Sequence, residues 1–268
     1  MKINNKKISR RLFMKHGLVA TAPILFASTV LPGMATKASA SSSSLARKLK
    51  IVCVGGHPDD PESGCAGTLA LYAALGHAVT IIYMTRGERG IKGKSMSEAA
   101  AIRTTECETS CKILGAKPVF AGQIDGETEL TSGRTEDFTK ILLAEEPDIV
   151  FTHWPIDTHM DHQVASILTI RAQLNNPHFF HLYFYEVATG LQTLGFTPDT
   201  YVDVTTVLAK KKNAQYAHVS QRGDAIWREH DEMIANFRGR EAGVGAAEAF
   251  IHGSRNYPQG KLPNLLFS

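Results

Sequence analysis

From residue 49 onward the chain alternates between two hydrophobic rhythms. Leu49-Lys50-Ile51-Val52-Cys53-Val54 is a short, β-rich apolar run closed by Gly55-Gly56, the make-up of a strand buried on both faces. A helical pattern follows from about Gly64 to Leu75, then a strand over Ala78 to Thr85 and a glycine-rich loop from Arg86 to Gly93. Ser97 is placed to cap a long helix that runs to Leu114 and stops at Gly115. Strand Val119-Phe120, helix Thr135 to Glu145, strand Asp148 to His153 and helix Asp161 to Leu174 continue the alternation. The second half is less regular, with strands at His181 to Val187 and Thr200 to Val204 and helices at Thr206 to His218 and Asp224 to Phe237. Strand and helix in turn predict a Rossmann-like α/β three-layer sandwich with a mostly parallel sheet. In such sheets ligands bind at the carboxyl ends of the strands, where the strand order reverses. The loops after the first and fourth strands are therefore the places to look for chemistry.

Before this alternation, residues 1–40 follow a different pattern. They carry seven basic and no acidic residues, an apolar stretch from Gly17 to Leu31, and Ala38-Ser39-Ala40, in the order of an export signal with a small-residue cleavage site. Ser9-Arg10-Arg11-Leu12-Phe13-Met14-Lys15 resembles the twin-arginine motif of bacterial proteins exported already folded. The apolar stretch is interrupted by Pro23 and falls short of the roughly 20 residues of a membrane anchor. The expectation is a twin-arginine-type signal over 1–40, recognised by the Tat translocase, and a single domain over 41–268. That domain would act in the periplasm or outside the cell, with no stable membrane span. The charge balance changes accordingly. The 268 residues hold 29 basic and 26 acidic side chains, a net +3, but losing the seven signal cations leaves 22 against 26, a net −4. No nucleic-acid partner is expected, and Lys210-Lys211-Lys212 reads as a solvated helix face.

Both candidate loops are dense in imidazole and carboxylate. His57-Pro58-Asp59-Asp60-Pro61-Glu62 follows the first strand, and His153-Trp154-Pro155-Ile156-Asp157-Thr158-His159-Met160-Asp161-His162 follows the fourth. Two histidines and one carboxylate leave coordination positions open for water and substrate, a catalytic arrangement. A turn fixed by Pro58 can aim His57 and Asp60 at one point and Asp59 elsewhere, while His162 at the next helix start supplies a third ligand. Asp60, Asp157 and Asp161 could also be mere helix or turn caps. Two such clusters on one sheet edge favour a metal. No phosphate-binding glycine pattern is present. The four cysteines contain no Cys-x-x-Cys pair; Cys53 and Cys65 read as core, and Cys107 and Cys111, four apart on a helix, are poorly placed for a disulfide. His77, His178 and His181 read as surface or packing residues. His153 reads as a packed strand-end histidine that could support a metal shell.

With these residues in view, the sequence resembles the PIG-L/LmbE-like metal-dependent N-acetylglucosaminyl deacetylases over about residues 49–250. His-Pro-Asp-Asp at 57–60 and His-x-Asp-His at 159–162 carry the resemblance. Arg103-x-x-Glu106, Asp125-Gly126, Ser220-Gln221, Glu241-Ala242-Gly243 and Ala247-Glu248-Ala249-Phe250 support it. It implies metal ligands His57, Asp60 and His162, Asp59 as general base, and His159 as the protonated group that stabilises the oxyanion or protonates the leaving amine, with Asp161 tuning it and keeping its imidazole charged. It also implies substrate contacts by Arg103 and Asp125. One departure is that Pro61 stands between the two aspartates and Glu62, where family members often have Glu directly.

The chemistry accounts for the same residue types. Amide hydrolysis needs an activated water, a polarised carbonyl and a proton for the amine, and zinc or another divalent ion lowers its water's pKa to about 7. The expected reaction is removal of an N-acetyl group from an amino sugar or a glycan that contains one. Two other readings fit less of the sequence. A non-haem iron oxygenase would use the same ligand triad, but the neighbouring base and the parallel scaffold favour hydrolysis. A glycan-binding protein with a structural metal would not leave coordination positions open.

Overall fold

The computed structural model describes residues 47–176 and 180–253. The signal read at 1–40 lies outside them, as does His178. All described residues belong to one compact unit.

The expected alternation is present. Strands β1 (Lys50–Gly55), β2 (Ala78–Tyr83), β3 (Lys117–Phe120), β4 (Ile149–His153), β5 (His181–Tyr185), β6 (Thr200–Asp203) and β7 (Ala247–His252) form a sheet of order β3-β2-β1-β4-β5-β7-β6. β1 to β5 are parallel, and β7 runs antiparallel between β5 and β6. Helices α1 (Asp60–Ala74), α2 (Met96–Leu114), α3 (Ser132–Ala144), α4 (Met160–Leu174) and α5 (Leu208–Tyr216) complete the layers. Near the C-terminal end, α6 (Gly223–Ile226) passes through a π-helical turn (Trp227–Asp231) into α7 (Glu232–Ala242).

The period-2 alternation of buried strands divides the core. On β1, Ile51 and Cys53 pack with Cys65 and Leu69 of α1 and Cys107 and Cys111 of α2. Val52 and Val54 face Phe138 and Leu142 of α3 and Val164 and Leu168 of α4. Because both faces are covered, the central strands carry continuous apolar runs. All four cysteines are buried and free, so the pair at 107 and 111 forms no disulfide. The order reverses between β1 and β4, which places the two polar loops side by side.

Several expectations shift at element ends. α1 begins at Asp60, four residues early, because Pro61 occupies the first turn, where its missing N–H costs nothing. α2 is capped by Ser95: its Oγ accepts from Glu98 N at 3.3 Å, and Glu98 Oε2 accepts from Ser95 N at 2.9 Å. Ser97 has no acidic residue three positions on and cannot complete this reciprocal pair. β7 is an addition: its core residues Ala247, Ala249 and Phe250 are separated by Glu248, which hides the strand in the sequence.

Lys211 overturns the solvated reading of the lysine run. It is 2% exposed, donating to Glu248 Oε1 at 2.6 Å and to the carbonyls of Ser63 at 2.5 Å and Glu62 at 3.2 Å. Glu248 in turn accepts from Gly67 N and Thr68 N, both at 2.8 Å. The α5 face carrying Lys211 packs on α1, and the buried ion pair clamps the first turns of α1, the segment that presents Asp59 and Asp60.

Candidate active site

The backbone at the end of β1 is forced into position. Gly56 leaves room where a Cβ would stand 2.9 Å from His162 Cδ2 and 3.2 Å from Asp60 Oδ2. Asp59, the residue before α1, has φ 116°, a strained conformation for a non-glycine residue and one that persists only where its surroundings enforce it. Glu62 does much of that enforcing. Fully buried, it accepts from Tyr83 Oη and Ser110 Oγ at 2.8 Å each, faces His218 Nε2 at 3.2 Å, and accepts from Asp59 N at 3.2 Å. Despite the intervening Pro61, Glu62 is thus a framework residue that pins the strained turn.

The expected ligands converge. His57 Nδ1 lies 3.1 Å and His162 Nε2 3.2 Å from the same atom, Asp60 Oδ2. All three residues are buried. Each of these two separations is near the ligand-to-ligand spacing around a small tetrahedral ion, roughly 3.3 Å for bonds of about 2.0 Å. Among the described residues, three sets bring ligand atoms within 4.8 Å of one another: His57, His159 and His162; His57, Asp125, His159 and Asp161; and Asp60, His153 and His162, so that His162 joins the His57 and Asp60 sets. Carboxylates crowd the imidazoles. Against the cost of burial, Asp125, Asp161 and Asp60 hold the His57 pKa well above its ordinary value, and Asp60 and Asp157 raise that of His162 to about 9. Such surroundings favour a positive charge, which a divalent cation held by these residues would supply in place of the ring protons.

His153 stands apart from this set. Burial, helped by His162, lowers its pKa to about 4, so it is neutral, and its Nε2 accepts from Gly56 N at 3.0 Å. The lone pair nearest Asp60 is already in use, so His153 supports the loop and does not ligate.

Asp59 and His159 flank the cluster. Burial pushes the Asp59 carboxyl up to about 6 against the pull of Arg103, whose Nη2 lies 3.2 Å from Asp59 Oδ1 and also donates to Pro58 O. Arg103 is 3% exposed and touches the glycines of the β2–α2 loop; a Cβ on Gly87, at φ +66°, would stand 2.1 Å from its Nη1. His159 Nδ1 accepts from Asp161 N at 3.3 Å. Burial, reinforced by His57 and His162, lowers the His159 pKa, so the neutral ring carries its proton on Nε2.

The Asp161 carboxylate, expected to keep the His159 imidazole charged, is not paired with that ring, which meets Asp161 only through its backbone N–H. Its Oδ2 lies 3.0 Å from His57 Nε2 and accepts from Gly126 N at 2.7 Å, while Oδ1 accepts from Thr128 Oγ1 at 2.6 Å. These bonds outweigh burial and keep it ionised. The carboxylate therefore orients His57 and leaves His159 uncharged. Asp125 also turns to His57, with Oδ1 at 3.2 Å from Nε2, and accepts from Arg89 N at 3.1 Å. Both Arg103 and Asp125 line the cavity above the cluster, which encloses about 570 Å³.

Asp157, which the sequence offers only as a cap, stands against the cluster. Buried at 6% exposure, it places Oδ1 3.2 Å from His162 Nδ1 and 2.8 Å from His159 N, and its Oδ2 accepts from Thr193 Oγ1 at 3.0 Å. It orients the imidazole whose other nitrogen meets Asp60. Asp157→Ala is expected to weaken divalent-metal affinity by about 10–100-fold, the usual cost of losing an outer-shell partner, as measured by competitive chelator titration.

A buried cluster of two histidines and a carboxylate that could hold a metal, with the Arg103-paired carboxylate of Asp59 beside it at the switch point of a parallel sheet, is the kind of centre a hydrolase uses. Comparison with known proteins gives the family. Residues 52–173 match PIG-L, described as GlcNAc-PI de-N-acetylase. Diacetylchitobiose deacetylase of Thermococcus kodakarensis is 30% identical over 220 residues, covering 74% of this chain and 81% of that protein. The N,N'-diacetylchitobiose deacetylase structure from Pyrococcus horikoshii superposes with a TM-score of 0.68 at 30% identity, covering 76% of this chain and 84% of that one. The chain belongs to the PIG-L/LmbE family of N-deacetylases, hydrolases of amide C–N bonds. The fold is shared more widely: a 4-carboxy-2-hydroxymuconate hydratase from Pseudomonas putida superposes at TM-score 0.69 with 19% identity. The reaction must therefore be argued from the site.

Proposed function

We propose that the protein hydrolyses the N-acetyl group of an amino sugar or amino-sugar-containing glycan, using a divalent ion, zinc by its donor set, held by His57, Asp60 and His162. The convergence of both imidazoles on Asp60 Oδ2 carries this reading, because the carboxylate offsets the ion's charge at ligand spacing. His159 could take the place of Asp60 in a three-histidine set, but its Nε2–H is better spent as a donor. When bound, the ion polarises the acetyl carbonyl and acidifies water.

The remaining work falls to the chain's own groups. Asp59 accepts a proton from the attacking water, and Arg103 holds that carboxylate at 3.2 Å in the pose it needs. His159 Nε2–H donates to the oxyanion that forms as the water oxygen adds to the carbonyl carbon. Asp59 then returns the proton to the nitrogen as the C–N bond breaks, leaving acetate and an amine. Arg103 and Asp125, on the cavity wall, are the substrate-side contacts.

Turnover of N,N'-diacetylchitobiose in ¹⁸O-water tests the reaction type. Hydrolysis places one solvent oxygen in each acetate; dioxygen consumption with a 2-oxo acid and no labelled acetate would establish the oxygenase instead. We also read 1–40 as a twin-arginine address, which sets the substrate outside the cytoplasm. Replacing Arg10 and Arg11 with Lys should retain the chain in the cytoplasmic fraction.

A further inference from the structure

The cavity has a second polar wall that the reaction does not use. Asp231 closes the π-helical turn Trp227–Asp231, a rare helical feature found frequently at functional sites. It is 6% exposed and lines the cavity together with its neighbour His230. Ser63 Oγ donates to its Oδ2 at 3.2 Å, and among the described residues nothing donates to its Oδ1. Nor does it cap the helix that follows: Asp231 stands at the N-terminus of α7, yet its side chain makes no cap hydrogen bond. A buried carboxylate on a cavity wall, with one oxygen that no described group meets, is costly unless something else satisfies it. Burial accordingly raises its pKa to about 6, with Lys211 and Ser63 opposing.

Its position relative to the reaction is set by α1. Ser63 N donates to Asp59 O at 3.0 Å, so Ser63 sits one helical turn, about 5.4 Å, beyond the base. That step is about the width of a pyranose ring. Val187, Ala188 and Ile226 add apolar surface to the same cavity. A sugar ring presents apolar faces and a rim of hydroxyl donors, which suits a cavity of this make-up.

We propose that Asp231, supported by Ser63, is a substrate-binding residue that reads hydroxyl groups of the sugar ring whose acetamido group lies at Asp59 and the metal ligands. The proposal rests on the deacetylase reading and narrows its substrate to saccharides over simple acetamides. Asp231 contributes to binding and specificity and takes no proton from the reacting atoms.

The test compares the purified protein with its Asp231→Ala and Asp231→Asn variants on N,N'-diacetylchitobiose and on 4-nitroacetanilide, an acetamide without ring hydroxyls. The ratio of kcat/KM for the disaccharide to that for the anilide should fall by about ten- to a hundredfold in Asp231→Ala, mainly through KM of the disaccharide. Asp231→Asn, which keeps one acceptor oxygen, should recover part of it. An unchanged ratio in both variants overturns the proposal, since a merely structural role would depress both substrates alike. If the unsubstituted protein releases acetate from neither substrate, the deacetylase reading fails, and calorimetric binding of the disaccharide decides the subsite. Weaker binding to Asp231→Ala upholds it; equal binding, or none to the unsubstituted protein, overturns it.

Discussion

Asp59→Asn is expected to bind metal as the unsubstituted protein does and to release acetate ~10²–10⁴ times more slowly, the range of one general acid–base group. Asparagine keeps the volume of Asp59 and an oxygen for Arg103 Nη2, now at 3.2 Å from Oδ1, but has no site for the water proton. Asp59 is not among the atoms converging on Asp60 Oδ2, so the ligand set should survive the change. The strained turn should survive too, because Glu62 holds Asp59 by its backbone N–H. Metal content by atomic absorption and acetate release are read on the same preparation. Retained turnover would remove Asp59 from its role, and lost metal would make it a ligand or a structural support.

The second large effect is at His162. His162→Ala is expected to lower metal affinity by more than the roughly 10–100-fold of an outer-shell loss and to abolish turnover at ordinary metal concentrations. His162 bridges Asp60 Oδ2 and Asp157 Oδ1 at 3.2 Å each, so its removal takes one imidazole partner from each of two buried carboxylates as well as one expected ligand. His153→Ala provides the contrast. Its ring stacks on His162 at 4.0 Å between centroids and bonds Gly56, so its loss should loosen the loop while leaving three ligands in place. Equal loss of metal from both variants, in folded protein, would place His153 among the ligands.

The parts of this site legible in the sequence are those that depend on local pattern. Period-2 apolar strands followed by helices place the loops after β1 and β4 together, and His57, Asp60 and His162 are visible as ligand types within them. What depends on long-range packing is not legible. Lys211 looks solvated beside Lys210 and Lys212, and only the docking of α5 on α1 buries it against Glu248, 37 residues away. Asp161 lies two residues from His159, so it reads as that ring's partner; the helix start turns its carboxylate to His57 instead, 104 residues distant. Asp231 carries no motif, and its place in the cavity depends on a π-helical turn that hydrophobic periodicity does not announce. β7 is missed because Glu248, a buried partner of Lys211, interrupts its apolar run.

The most direct measurement strips the protein with a chelator, returns zinc in steps, and follows bound metal, acetate and primary amine together with N,N'-diacetylchitobiose as substrate. Acetate and amine should appear in equal amounts, at a rate that rises with occupancy and levels off at one ion per chain. Turnover that persists in the stripped protein, or its absence when the site is filled by zinc or any other divalent ion, would contradict a metal-dependent deacetylase built on His57, Asp60 and His162.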